Sequence, residues 1–547
     1  MTIARLVLFV ALVVGIAADT LLRGGFSGIA FPVWIALVGL GALAIANRGQ
    51  RGVSREAAGW LIAAVLAAAG LAWRAAPELQ ALDFLATLLA LGLGAIALGQ
   101  PRAVLFATRL RDSVWAGTRV LRDVFIGSLP LLFHEFTVAG SPHAVKRRRW
   151  PAVRAALIVV AVVAVFGSLL RGADPIFASL LRVPDFDIGI VLSHVAVAGF
   201  FAWVFAGWAR GAFISSERAT RPPDQLPFAL GRADITAALA TLDVLFALFV
   251  IAQLGWLFGG ESFLQARTGL TAAQYARQGF FQMTFVVVLV IPLLMATRAL
   301  LVPDAAAARR HTQLAVPMIV LLLAMILSAA LRMRLYMSYY GLTTERFYTM
   351  AIMAWLAFVL VWLAATTLRG RDQHFMAGAV LSAFAALLAL NLVAPDRVVA
   401  RVNVSRARLA TPSGGSPLDV AYLATLSGDA LGTAISATLA SPARAPVSAA
   451  PTNANTAAVS PVPAALAAHD SSNAERCKAA QRILKRWGPA SREAGRANDG
   501  DWRLWNAGEQ RAVRLAAQNE PALRTVERES CPAAPDTTHG VGRDDYR

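Results

Sequence analysis

The chain has 547 residues, of which 57% are apolar and 15% charged, against roughly 25% charged in an ordinary soluble domain. This excludes a water-soluble globular fold for most of its length and points to a membrane protein. The formal net charge of +18 does not argue for nucleic acid, because the arginines sit in short loops beside apolar spans, where they face lipid headgroups and set orientation.

A helix crossing ~30 Å of hydrocarbon needs about 20 mostly apolar residues, since each residue rises ~1.5 Å. About eleven stretches meet that length. In chain order they are Ile3 to Ala18, Gly28 to Ala46, Ala57 to Trp73, Leu82 to Leu98, Val153 to Leu170, Ile188 to Trp208, Ile235 to Phe258, Gly279 to Thr297, Leu314 to Leu331, Phe347 to Thr367 and Phe375 to Val393. The pattern predicts an all-α fold, a polytopic transmembrane helical bundle with a small helical tail outside the cytoplasm.

Cationic loops resist translocation. They fall in every second gap: Arg48, Arg51 and Arg55; Arg102, Arg109, Arg111, Arg119, Arg122 and Lys146-Arg147-Arg148-Arg149; Arg210, Arg218, Arg221 and Arg232; Arg298, Arg309 and Arg310; Arg369 and Arg371. The alternate gaps hold few, such as Arg23, Arg74, Arg171 and Arg182. With Arg5 on the inner side, the bias places the N-terminus in the cytoplasm and, after an odd number of spans, the tail in the periplasm of a bacterial inner membrane. The first span, with Arg5 ahead of Leu6 to Ala18, also resembles a signal peptide.

Organisation follows from these signals. Residues 1–100 form a four-span unit, 101–154 a basic cytoplasmic segment, 155–393 a seven-span core and 394–440 an extracytoplasmic helical segment. Residues 441–470 read as an Ala- and Pro-rich linker, because such a composition cannot bury a core, and 471–547 as a helical appendage. In the basic segment Leu110, Val114, Leu121, Val124 and Phe125 recur at helical spacing among arginines. That pattern predicts a helix lying on the inner membrane surface, as a basic anchor or a partner-docking face. In the appendage, Trp487, Trp502 and Trp505 are the expected apolar anchors.

Ionisable groups inside a span are costly and mark candidate sites. Asp243 lies about eight residues into its span, ~12 Å from the cytoplasmic edge. It is either a proton carrier or a neutral acid hydrogen-bonded to Thr241 or a neighbouring helix. His194 sits ~9 Å below the opposite edge, too far from that level for a direct pair across ~30 Å of hydrocarbon. Gln253 is its better-placed partner, and Gln282 and Thr284 extend the polar layer or serve as interhelical glue.

Other chemistries find no pattern. His134-Glu135 is not followed by a second histidine at helical spacing, and no Walker or Rossmann glycine motif occurs. The glycines near Gly39 and Gly92 fit close helix packing. The two cysteines, Cys477 and Cys531, lie in the tail outside any CxxC or Cys/His pattern, so no metal site and no cofactor is implied. In an oxidising periplasm they should form a bridge, the alternatives being free thiols or a bridge between chains.

Three segments carry a family resemblance. The first is Leu242-Asp243-Val244-Leu245-Phe246 with Gln253, Leu257-Phe258-Gly259-Gly260, Gly269-Leu270-Thr271 and Tyr275-Ala276-Arg277-Gln278-Gly279-Phe280-Phe281. The second is Tyr340-Gly341-Leu342-Thr343 with Arg346 and Tyr348. The third is Pro395-Asp396, Arg401, Asn403, Leu418-Asp419 and Tyr422 through Ala430. With Gly172-Ala173-Asp174-Pro175 they resemble bacterial polytopic membrane proteins known as domain of unknown function 4173, with its relative 4153. Gln274 and Gln282 depart from that pattern where relatives look acidic, and the acid after Thr343 is displaced to Glu345.

The resemblance implies no activity, but it casts the outer loops as one unit. Asp174, Tyr275, Arg277, Tyr340, Arg346, Asp396, Asn403, Asp419, Tyr422 and Asp429 then form a sealed polar network or line a site, or else an aromatic belt with loop-locking ion pairs. The reading that follows is a non-catalytic envelope scaffold or signalling partner, in contact with membrane lipids and other envelope proteins. The alternatives are a small-solute or proton-coupled transporter using Asp243 and a lipid-modifying enzyme.

Overall fold

A computed structural model describes residues 2–50, 52–99, 110–132, 159, 162–163, 166, 188–214, 231–268, 280–301, 304–371, 374–409, 418–441, 462–488 and 501–531. Nine of the described helices are long and apolar enough to cross a membrane. The expected span at 153–170 falls almost wholly outside the described residues. The expected span at 279–297 forms a continuous helix, Phe280–Ala299, with Pro292 inside it. The chain divides into two compact units, the first comprising residues 1–69, 83–229 and 369–377 and the second the remainder.

In the first unit α1 (Ile3–Leu22), α2 (Ala30–Arg48), α3 (Arg55–Trp73), α4 (Pro77–Gly99), α5 (Leu110–Ile126) and α6 (Ile188–Phe213) supply the structure; α3 and α4 pass into the second unit at their joined ends. Small residues set the spacing of α1 and α6. A Cβ at Gly15 would meet Ala198 O at 2.3 Å and Ala202 Cβ at 2.7 Å, so only glycine lets the backbones come this close. Rings fill the space beside them: Trp34 meets Phe201 at 5.1 Å and Phe31 meets Phe84 at 5.6 Å between centroids.

The basic helix α5 lies against the end of α6 at Gly207 and Gly211, where the Asp123 backbone and side chain fill the room a Cβ would need. Asp123 is buried, with Arg122 at 3.1 Å and Arg210 at 3.7 Å. Leu121, Phe125 and Ile126 stay uncovered, the apolar face expected of a surface helix. Burial of Asp123 and desolvation of Arg119, whose guanidinium is held below its usual value, give this helix a polar attachment that spacing alone did not show.

The second unit is built on α7 (Arg232–Thr268), α8 (Phe280–Ala299) and α9 (Ala305–Tyr340). With 37 and 36 residues, α7 and α9 each reach ~55 Å at ~1.5 Å per residue, longer than a bilayer core. The helix α7 runs straight through Gly259-Gly260, where the hydropathy pattern suggested its end; a glycine pair costs only about 2 kcal/mol of helix propensity. At the start of α9, Asp304 caps the helix by accepting from Ala306 N and Ala307 N, both at 3.1 Å. Those bonds hold its carboxyl below the usual range.

Beyond α9 come α10 (Thr344–Thr366), α11 (Phe375–Val393), α12 (Pro395–Leu409), α13 (Val420–Leu423), α14 (Leu431–Ala440), α15 (Val462–Trp487) and α16 (Ala507–Ser530). Helix α15 begins at Val462, inside the stretch whose composition reads as linker. Helices α12 to α16 share one core, in which Val399, Leu423, Ile435, Ile483, Trp487 and Leu523 are buried together. The tail is therefore an integral layer of this unit. Of its expected anchors only Trp487 is in that core; Trp502 and Trp505 are 57% and 44% exposed, which corrects their assignment as core anchors. The sulfurs of Cys477 and Cys531 are bonded, tying α15 to the end of α16.

Candidate functional site

The richest polar arrangement in the second unit is built on the turn between α9 and α10. Gly341 ends α9 with φ +77°, the left-handed region where a side chain is strained. A Cβ there would also lie 2.8 Å from Asn403 Oδ1. From α12, Asn403 clamps the next residue on both sides: its Oδ1 accepts from Leu342 N at 2.9 Å and its Nδ2 donates to Leu342 O at 2.6 Å. Arg346 donates through Nη1 to Gly341 O, and its guanidinium carbon stands 4.3 Å over the Tyr336 ring. Tyr340, 56% exposed, packs its ring on Tyr336 at 4.8 Å.

Buried Asp396 joins this turn to the α13–α14 segment, accepting from Thr344 Oγ1 at 3.2 Å and from Ser427 N at 2.9 Å. The Tyr422 hydroxyl accepts from Thr344 N at 3.0 Å. Tyr422 is in turn placed by Asp419, which caps α13 by accepting from Tyr422 N at 2.6 Å.

A second centre forms around Arg74, between α3 and α4. Only 4% exposed, it donates from Nε to Asn391 O at 2.7 Å, and its Nη1 lies 3.4 Å from Asp429 Oδ1. The other Asp429 oxygen accepts from Ala75 N at 3.1 Å, and Arg397 Nε donates to the Asp429 carbonyl at 3.3 Å. Desolvation lowers the Arg397 guanidinium, and Asp429 opposes that shift. Asn506 of the tail completes the centre. Its Nδ2 donates to Leu71 O at 2.7 Å and to Arg74 O at 2.9 Å, while its Oδ1 caps α16 at Glu509 N, 3.0 Å away.

Beside these bonds lies a cavity of about 550 Å³, lined among others by Glu78, Tyr336, Thr344, Glu345, Arg346, Asp396, Tyr422, Ser427 and Arg486. Arg486 of α15 reaches it with Nη1 donating to Thr425 O and Leu426 O at 3.1 and 3.2 Å.

Asp396, Asn403, Asp419, Tyr422 and Arg346 thus converge on the first of these centres, with Tyr340 at its edge, and Asp429 on the second; Asp174, Tyr275 and Arg277 lie outside the described residues. The intramembrane candidates are placed differently. His194 Nδ1 lies 2.5 Å from Asp19 Oδ2, and Asp19 Oδ1 accepts from Arg23 Nε at 2.8 Å. The partner of His194 is thus Asp19 of the first span, where the depth estimate favoured Gln253. Gln253 is buried, and Gln282 is exposed.

Both Asp243 carboxylate oxygens are buried without a hydrogen-bond partner among the described residues. The Thr241 hydroxyl donates to Ala237 O at 2.6 Å instead, which removes the expected Thr241 bond. The sequence reading missed Arg74, Asn506 and Asp19. Asp19 had a signal in its four-residue spacing to Arg23. Asn506 had one in its N-cap position ahead of Glu509.

Nine apolar span-length helices among the described residues, with polar centres knit to a covalently closed tail, define a helical integral membrane protein. The chain belongs to the DUF4153 family, a domain of unknown function whose family model matches residues 61–437. The match takes in Arg74, Asp396 and Asp429 but leaves out α15 and α16, which supply Arg486 and Asn506. Neither a curated protein nor a solved structure matches the chain.

Proposed function

We propose that this chain acts without covalent chemistry, as a multi-pass protein of a bacterial inner membrane whose N-terminus is cytoplasmic and whose tail forms a rigid periplasmic platform for another envelope protein. The observation that carries this reading is how the polar residues are used. Asp396, Asp429, Asn403, Asn506 and Arg74 all bond backbone groups of other segments, which makes them the locks of a fixed surface. The arginine bias supports the orientation, as does the bonded Cys477–Cys531 pair, because structural disulfides persist in oxidising compartments. Kinship with domain 4173 belongs to the same proposal.

The platform presents Trp502 and Trp505, both exposed, on either side of Arg503, which is held by Asp501 at 2.5 Å. Exposed tryptophans beside a fixed arginine are the composition of a binding hot spot. A photocrosslinking residue at position 502 or 505 in the full chain should yield one saturable protein adduct in membranes, absent when the same probe replaces exposed Arg528. Adducts with lipid alone would overturn the reading.

A transporter is favoured by one observation, the pair of unpartnered buried oxygens on Asp243. A coupled proton predicts that Asp243→Asn abolishes a pH-dependent flux at unchanged abundance. A structural acid predicts that Asn is tolerated.

A further inference from the structure

We infer that the family-matched part of this chain carries a docking surface for a helical hairpin, and that the chain's own tail, α15 and α16, occupies it as a separable partner. The inference goes beyond the platform reading and holds whichever compartment or protein the tail serves.

Both sides of the contact keep their shape through bonds of their own. On the matched side Asp396 accepts from Ser427 N at 2.9 Å, Asp419 from Tyr422 N at 2.6 Å, Tyr422 Oη from Thr344 N at 3.0 Å and Asp429 from Ala75 N at 3.1 Å. None of these bonds uses a tail residue, so the surface is set before the tail arrives, which lowers the cost of binding. On the tail side the Cys477–Cys531 bond ties α15 to α16, and Arg476 Nη1 donates to Ser530 Oγ at 3.5 Å. A two-helix unit is too small to hold itself together by its own core and needs a staple to stand alone. A hairpin that never left α12 to α14 would draw its stability from the shared core; one that leaves and returns needs the bridge.

The bonds that join the two sides are of one kind. Arg482 Nη1 donates to Ala421 O at 2.8 Å and Arg476 Nε to Thr438 O at 3.3 Å. Arg486 Nη1 donates to Thr425 O and Leu426 O, and Asn506 Nδ2 to Leu71 O and Arg74 O. In each the tail donates, and the acceptor is a backbone carbonyl in or just past the last turn of α3, α13 or α14, where carbonyls lack a partner within their helix. Undocking returns those carbonyls to water, which satisfies them, and breaks no ion pair. The contact is therefore built to open and close.

Shape and sequence mark the same seam. A Cβ at Gly428 would lie 2.8 Å from Ala512 Cβ, and one at Gly508 would lie 2.9 Å from Ala75 N, so a glycine from each side lets the surfaces close. The family model ends at residue 437, before α15 begins at Val462, and the Ala- and Pro-rich sequence between them has the composition of a linker.

The test uses the full chain in nanodiscs, with a protease site introduced between residues 442 and 461 and a fluorescent protein at the C-terminus. Labelled discs are cut and mixed overnight with cut, unlabelled discs that carry an affinity tag, and the label recovered on the tagged discs is measured. Label should appear there after cutting and not before it. Arg486→Ala, which removes a donation across the seam, should speed the transfer about tenfold, the worth of one hydrogen bond. Gly508→Leu should release the cut tail, while thiol labelling shows the bridge still formed and membrane abundance is unchanged. A cut tail that stays on its own disc without transfer would overturn the inference, and so would one that leaves and rebinds nowhere.

Discussion

Asn506 shows how much one buried amide can hold. It is 1% exposed and uses both ends of its side chain, two donations to the α3–α4 turn and one acceptance that caps α16. Asn506→Asp keeps the cap but sets a carboxylate against two carbonyls. It should cost about 2–4 kcal/mol, since each stranded buried group costs about 1–3 kcal/mol. The check is earlier release of the tail under limited proteolysis in membranes. Glu475 is a different case. Burial, and then the like charge of Asp419, raise its carboxyl above the usual carboxylate range, while Lys478 opposes the shift. A raised acid binds its proton more tightly in the folded state, so its favourable contribution is complete below about pH 4.5 and is lost as pH rises through the folded value. At pH 7 the full cost is present. Glu475→Gln should therefore melt higher than the parent at pH 7, and the gap should close towards pH 4; a constant gap across that range would contradict this account.

At the scale of elements, the contact of α1 with α6 depends on small side chains rather than on hydrophobicity, because lipid tails are as apolar as the residues they replace. Gly15→Val would drive two methyl groups into Ala198 O and Ala202 and should cost about 1–3 kcal/mol by overpacking. Detergent melts and membrane abundance should both fall, while Gly39→Val, at a glycine with open space around it, should leave both unchanged. Span existence was readable from hydropathy. The lengths of α7 and α9 were not, because an apolar window ends where the lipid ends, whereas a helix continues for as long as a neighbour supports it.

For the whole molecule, orientation is the property most open to test. Reporters fused after Ala46, Arg149 and Arg310 should behave as cytoplasmic, and those after Arg74, Gly260 and Pro395 as exported. In intact cells Cys477 and Cys531 should resist thiol labelling until reductant is added, and their bridge, which closes 54 residues, should contribute about 4 kcal/mol in the chain-entropy model. The sequence by itself determined the membrane class, the nine long apolar helices among the described residues and the alternation of arginine-rich gaps between apolar stretches, because a bilayer reads hydropathy and arginine count residue by residue. Resemblance to relatives also marked six residues that fall in the two polar centres, Asp396, Asn403 and Asp429 among them. What only the tertiary structure decided are partnerships between segments far apart in the chain. Arg74 read as one loop charge among many until Asp429 and Asn506, 355 and 432 residues away, closed around it.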